Sequence, residues 1–233
     1  MTSGDMNCLT IALPKGKLFK PSAQIFKELG LSADGLEEES RKLVLPSAAA
    51  DVRFLITKAT DLPTYVEYGA ADIGIIGKDV LWEENKAVYE LLDLGFGLCR
   101  MVVAVPEAAR REKLSDYANL RVGTKYPRTA EEYFRRFGVQ VEIIKLSGSI
   151  ELAPAVGLAE MIVDLVETGR TLRENNLVEV AEVGVSTARL IANRVSFKMK
   201  FDRIGRLVEA LRSRKGEQKE PQEQKRGGGL TCG

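Results

Sequence analysis

The sequence predicts an α/β protein built as two lobes with a cleft between them. Three observations carry this. Short apolar runs alternate with helical periodicities along the whole chain. The alternation passes through two cycles, separated by a break over Pro106 to Ser115. Several apolar runs end at Pro, Gly or an acid immediately before a helix starts, which is how open sheets present ligand-binding edges.

In the first cycle, Leu9 to Leu13 reads as a buried strand closed by Pro14 and Gly16. A helix follows, with Leu18, Ser22, Ile25/Phe26 and Leu29 on one face and Gly30 at its end. Leu31 to Ser40 is acidic and loop-like, Glu37–Glu39 being a solvated run. Arg41 to Leu45 and Val52 to Thr57 read as a strand hairpin across Pro46–Asp51. The next helix takes Asp61 as N-cap, Pro63 in its first turn and Gly69 past its end. Asp72 to Gly77 is a buried strand, Lys78 to Glu84 a short helix, and Val88 to Leu92 and Met101 to Val105 are strands. Trp82 reads as a core or interface residue.

The second cycle opens with a strand at Leu120 to Thr124. Thr129 and Glu132 have capping-box spacing ahead of Tyr133, Phe134 and Phe137. Val141 to Leu146 and Met161 to Val163 are strands, with a short helix near Glu151 between them. A helix begins at Gly169, and Leu177 to Val185 is another strand. A last long helix carries Phe197, Phe201, Ile204, Leu207/Val208 and Leu211 on one stripe. The expected organisation is lobe I from 1–105 and 180–212, lobe II from 106–179, and a disordered polar tail over 213–233.

Composition narrows the chemistry. Lys+Arg number 34 against Asp+Glu 33, so no broad nucleic-acid footprint is expected. The count of His is 0, which excludes His-based triads, Cys–His dyads and His metal sites. Cys8, Cys99 and Cys232 are too few and too scattered for a disulfide framework or a zinc knuckle, and are expected to be thiols in a reducing cytosol. Cys99 reads as a buried small hydrophobe. No apolar run reaches membrane-spanning length, and polar Met1 to Asn7 predicts no signal peptide.

The chemistry concentrates in Met161-Ile-Val-Asp164-Leu-Val-Glu167-Thr168-Gly169-Arg170-Thr171-Leu172. A buried strand delivers Asp164, and a Thr-Gly-X-Thr turn then opens a helix whose free N–H groups suit an anion. Gly169 lets the backbone approach a phosphate, Thr168 and Thr171 add hydroxyl donors, and Asp164 suits a neutral diol. An acid beside a phosphate cradle fits a ribose 5-phosphate. Taken alone, the turn reads equally as a Thr168-capped helix with a turn glycine.

Glu151, Gly157, Ala159, Ile162, Asp164-Leu165, Thr168-Gly169 and Thr171-Leu172 together resemble the signature of the ATP phosphoribosyltransferase family. Ala12-Leu-Pro-Lys-Gly-Lys-Leu18, Ser40-Arg-Lys-Leu43, Asp61-Leu-Pro-Thr-Tyr-Val66, Asp72-Ile-Gly-Ile-Ile-Gly-Lys-Asp79, Gly123-Thr-Lys-Tyr126 and Arg189 to Lys200 are similar to other stretches of that family. The resemblance covers roughly residues 8–212 and is to the short form. It implies a fold like the type II periplasmic binding proteins, and a reaction joining ATP to phosphoribosyl pyrophosphate (PRPP) at the start of histidine biosynthesis. Adenine N1 attacks the anomeric carbon, pyrophosphate leaves, and the transition state resembles an oxocarbenium ion. N1 already carries a lone pair, so the lack of His is no obstacle.

The implied roles follow. Glu151 and Asp164 take ribose hydroxyls beside the developing cation, and Thr168, Gly169, Arg170 and Thr171 hold the 5′-phosphate. Lys15, Lys17, Arg41 and Lys58 serve the ATP and pyrophosphate side, Lys17 and Arg41 at the leaving group. Many relatives have Arg where Lys17 stands, and Lys is a point charge rather than a bidentate fork. Each of the four also reads as a plain surface charge. Asp72 reads more readily as a turn acid than as a ribose contact, and Tyr126 as an adenine-stacking residue or equally a core or surface tyrosine. Mg²⁺ is expected on the substrate phosphates, with no protein metal site. The short form implies a regulatory subunit resembling histidyl-tRNA synthetase, a homodimer within a hetero-octamer, and a cytoplasmic enzyme. Two alternatives stand beside this reading: another phosphoribosyltransferase, most of which carry two adjacent acids where Asp164 is followed by Leu165, and a two-lobed small-molecule binding protein.

Overall fold

The structure is a computed structural model that describes residues 8–36, 42–47 and 51–217, the last three by backbone alone. In chain order the elements are β1 (Leu9–Pro14), α1 (Phe19–Glu28), β2 (Val44–Pro46), β3 (Val52–Thr57), α2 (Leu62–Glu67), β4 (Ile73–Gly77), α3 (Lys78–Glu84) and β5 (Val88–Asp93). Then come β6 (Cys99–Pro106), two 3₁₀ turns, β7 (Arg121–Thr124), α4 (Pro127–Arg136), β8 (Glu142–Lys145), α5 (Leu152–Ala155), β9 (Met161–Val166) and α6 (Arg170–Glu174). The last are β10 (Leu177–Ser186), β11 (Ala188–Asn193), α7 (Arg194–Met199) and α8 (Phe201–Glu217).

The strands form two sheets, and the chain divides into two compact units, one around each. The fold is thus mixed α/β, as expected. The first unit holds the chain through Gly77, Lys86–Gly97 and the chain from Ala188 on. Its sheet runs β2-β3-β1-β4-β11-β5. β1 lies parallel between β3 and β4, while β11 runs antiparallel to β4 and β5. β1 and β4 are buried throughout, which explains their unbroken apolar runs. Phe26 and Phe54 meet edge to face, ring centroids 5.6 Å apart, in the core under α1 and α8.

The second unit comprises Lys78–Asn85 and Leu98–Thr187. Its sheet runs β10-β6-β9-β7-β8, with β8, β7 and β9 mutually parallel and β6 antiparallel to both its neighbours, β9 and β10. The expected lobe limits at 105/106 and 179/180 differ from this division. β6 and β10 pair along their whole length in the second sheet, so the boundary falls at Gly97/Leu98 and Thr187/Ala188 instead.

Several local expectations are corrected. Asp61 stands at the N-cap of α2, but its backbone is already helical and its side chain makes no capping bond. α4 starts at Pro127, so Thr129 and Glu132 form no capping box: Glu132 accepts from Arg128, and the Thr129 hydroxyl donates to Glu83. β9 runs past Val163 to Val166, because Asp164 and Leu165 pair with Val102 and Met101 of β6. β11 is a strand where none was expected. The last helix is two, broken at Lys200, whose ammonium is drawn to the carbonyl of Cys8 (2.7 Å) and the carboxylate of Asp72 (2.8 Å). Asp72, which also accepts from the Thr10 N–H, is therefore a buried structural anchor rather than a turn acid. α8 continues to Glu217, into the segment expected to be a tail, and the rest of that segment lies outside the described residues.

Candidate active site

In the second unit β7, β8 and β9 run parallel, so their carboxyl ends share one sheet edge. That edge carries Lys125 and Tyr126 after β7, Leu146 to Glu151 after β8, and Glu167 to Gly169 after β9. Ligands of open α/β sheets bind at such edges. Asp164 sits inside β9, partly buried, and accepts from the Leu165 N–H at 2.8 Å. Burial foremost, and then the nearby Glu151 carboxylate, push its carboxyl above the ordinary range. The Leu165 N–H and the Lys125 ammonium pull it back.

Glu151 occupies the N-cap position of α5, yet its carboxylate makes no capping bond. It is placed by its neighbour Ile150, buried in a cluster with Ile162, Val166 and Leu172. That cluster therefore seats both the Glu151 segment and the start of α6. Gly169 adopts a left-handed φ of 72°, which an L side chain would enter only with strain. Thr168, Arg170 and Thr171 are exposed. Arg170 is held by Glu174 one turn on, at 2.7 Å, rather than extended over the turn.

A second cluster stands on the same unit. The Ser186 hydroxyl donates to Asp79 (2.7 Å) and accepts from the Asp79 N–H (3.0 Å), while the Tyr126 hydroxyl donates to the other Asp79 oxygen (3.3 Å). Burial foremost, and then the Asp79 and Asp164 carboxylates, push the Tyr126 phenol strongly upward, so it stays a neutral donor. Cys99 is half-buried, its thiol 3.9 Å from the Ser186 carbonyl. Trp82 is half-buried and lies over Gly184.

The lysines expected on the ATP and pyrophosphate side belong to the first unit. Lys15 and Lys58 directly follow Pro14 and Thr57, which are partners in the parallel β1–β3 pair, and the Lys15 N–H donates to the Thr57 carbonyl at 2.8 Å. Gly16, at φ 97°, then turns the chain to Lys17. All three lysines are exposed. Arg41 lies outside the described residues. The structure thus brings Asp164, Glu151 and the 168–171 turn together on one unit, and Lys15, Lys17 and Lys58 together on the other. Two groups were missed from sequence: Lys125, whose relation to Asp164 exists only through strand register, and the Asp79–Ser186 pair, far apart in the chain.

A family profile described as ATP phosphoribosyltransferase matches residues 58–213. The chain is 56% identical over 218 residues to a Desulfitobacterium hafniense protein named ATP phosphoribosyltransferase, covering 91% of this chain and 98% of that one. The chain belongs to the ATP phosphoribosyltransferase family. These enzymes are pentosyltransferases, and the family resemblance seen in the sequence is thereby established over most of the chain. A solved ATP phosphoribosyl transferase (HisG:HisZ) complex from Thermotoga maritima superposes with a TM-score of 0.77 at 33% identity, over 90% of this chain and 99% of that one. The periplasmic aliphatic sulphonate binding protein SsuA of Escherichia coli superposes at 0.59 with 12% identity, over 94% and 71%, which shows a shared fold and nothing more. Among the described residues no helix is long and apolar enough to cross a membrane.

Proposed function

We propose that this chain transfers the 5-phosphoribosyl group of PRPP to adenine N1 of ATP, giving 1-(5-phospho-β-D-ribosyl)-ATP and pyrophosphate, and that it does so with the groups described above. The observation that carries the assignment of roles is the placing of Asp164 on β9, Glu151 at the start of α5 and the Thr168–Thr171 turn around one buried cluster of the second unit. Two carboxylates with a left-handed glycine turn beside them suit a ribose whose 5′-phosphate takes backbone N–H and threonine hydroxyl donors. As the glycosidic bond breaks, positive charge grows on the ribose and is stabilised by both acids.

Pyrophosphate takes the opposite charge. Lys15, Lys17 and Lys58 supply it with cations, with Arg41 joining them on the strength of the family resemblance. The first unit thus serves nucleotide and pyrophosphate, and the second holds the sugar phosphate. Binding in one geometry does most of the work, since N1 needs no base to become a nucleophile. Mg²⁺ enters as part of the substrates, held by phosphate oxygens and water. The product opens histidine biosynthesis in the cytoplasm. The similarity to a chain of a HisG:HisZ complex supports a HisZ-type regulatory partner. That this partner resembles histidyl-tRNA synthetase, and that homodimers of this chain enter a hetero-octamer with it, rests on the family resemblance of the sequence.

The deciding experiment is a spectrophotometric assay for phosphoribosyl-ATP, with and without the candidate partner. Thr171→Ala is expected to raise the KM for PRPP with less effect on kcat. An unchanged KM removes Thr171 from the phosphate site, and binding of an amino acid or sugar with indifference to both PRPP and ATP rejects the reaction itself.

A further inference from the structure

Lys125 has no part in the roles assigned so far, yet its place in the sheet is narrowly defined. β7 and β9 pair in parallel with Val122 opposite Met161, Gly123 opposite Ile162 and Thr124 opposite Val163. Lys125 is the residue that follows Thr124 at the end of β7, as Asp164 is the residue that follows its partner Val163. The backbone around it is pinned by one side chain. The Thr124 hydroxyl donates to the Val163 carbonyl at 2.7 Å and accepts from the Tyr126 N–H at 3.0 Å. Thr124 is fully buried, whereas Lys125 is exposed. An ammonium on a flexible stem therefore starts from the end of the strand next to the one that carries Asp164.

We propose that Lys125 is a positioning residue of the ribose site, its ammonium offsetting the Glu151 charge at Asp164 so that Asp164 stays a carboxylate as the sugar displaces water. This rests on the reaction proposed above. Among the described residues, few charged groups act on Asp164. Glu151 comes from the segment before α5, Lys125 and the neutral Tyr126 phenol from the turn after β7, and uncharged Val102 stands opposite on β6. Arg170, the nearest cation along the chain, is paired with Glu174. Among the described residues, Lys125 supplies the side-chain cation that counters Glu151 at Asp164. Binding a sugar there strips water from both acids, and the energetic cost of two like charges rises as solvent leaves. A cation at the rim limits that cost without occupying the diol position.

The test reads the Asp164 carboxyl directly, by ¹³C NMR titration of the resting protein, together with the pH dependence of kcat. In Lys125→Gln the Asp164 titration and the acidic limb of kcat are both expected to move to higher pH. Turnover then suffers more at pH 5 than at pH 8, and Lys125→Arg restores both profiles. Glu151→Gln should move the Asp164 titration the other way, and the double variant should return it towards the wild-type position. An Asp164 titration unchanged by Lys125→Gln, in an active wild type, overturns the role. So does a raised KM for PRPP at pH 8 with that titration unmoved, which would mean that Lys125 grips the substrate itself. Failure of the wild type to form phosphoribosyl-ATP overturns the reaction, and the ribose role with it, whatever the titration shows.

Discussion

Asp164 sits where a carboxylate is costly. Burial and Glu151 raise its carboxyl above the ordinary value of 3.8, so the folded state binds its proton more tightly than the unfolded chain does. Stability contributed by the protonated form is lost as pH rises through the interval between the unfolded and folded values. Asp164→Asn is therefore expected to raise the melting temperature at pH 8 and to leave it nearly unchanged at pH 3, where both states are protonated. Calorimetry at the two pH values checks this. The same substitution removes charge from the transition state and is expected to lower kcat by about 100-fold or more, with a smaller change in PRPP affinity. Gly169→Ala tests the turn. Its left-handed φ costs a non-glycine residue about 1–2 kcal/mol, and a Cβ there would stand 3.2 Å from the movable Nη1 of Arg173. A small loss of stability with a clear loss of PRPP affinity is the outcome expected by calorimetric titration. The acid, the turn and the three lysines were legible in sequence, because strand ends, glycine and charge leave local marks. Lys125 and the Asp79–Ser186 pair were not, because their partners are brought close only by sheet pairing and by a contact between residues 107 positions apart.

At the scale of single elements, local pattern succeeded where the stabilising contact was local. β4 and α3 read correctly because a buried apolar run followed by a helical period needs no distant information. It failed at α4, whose N-terminus is capped from elsewhere. The Glu83 carboxylate on α3 accepts from the backbone N–H groups of Arg128 (3.1 Å) and Thr129 (3.0 Å), and from the Thr129 hydroxyl (2.9 Å). Nothing in the spacing of Thr129 and Glu132 reveals a cap drawn from α3. It failed again at Lys200, where a charge attracted to Asp72 interrupts an otherwise continuous apolar stripe. Loss of a helix cap costs about 0.5–2 kcal/mol, and the Glu83 carboxylate satisfies two backbone donors at once. Glu83→Ala is expected to fall at the upper end of that range, with Glu83→Gln keeping part of the difference. Urea denaturation followed by circular dichroism measures both, and equal stability of Glu83→Ala and the wild type would remove the cap from the account.

Across the whole molecule the chain changes unit four times, at Gly77, Asn85, Gly97 and Thr187, yet each unit closes its own core. The short excursion Lys78–Asn85 gives the second unit its buried Asp79, the Glu83 cap and Trp82, which lies over Gly184. Trp82 is the one tryptophan in the chain, so its emission reports on the second unit alone, whereas far-UV circular dichroism reports on both. Val103 and Ile75 are each fully buried, one in each core. Truncating either to Ala removes apolar contact and leaves a cavity, at about 2–5 kcal/mol for an isoleucine and somewhat less for a valine. If separate cores mean separate cooperative units, Val103→Ala shifts the Trp82 transition in urea to lower concentration. Ile75→Ala then splits the dichroism curve and leaves the Trp82 midpoint in place. That is the expected result, since hydrophobic stabilisation acts through contact and neither core includes the other's residues. A single transition, moved equally by both substitutions and seen alike by both probes, would instead show that the four chain passages weld the two cores into one cooperative unit.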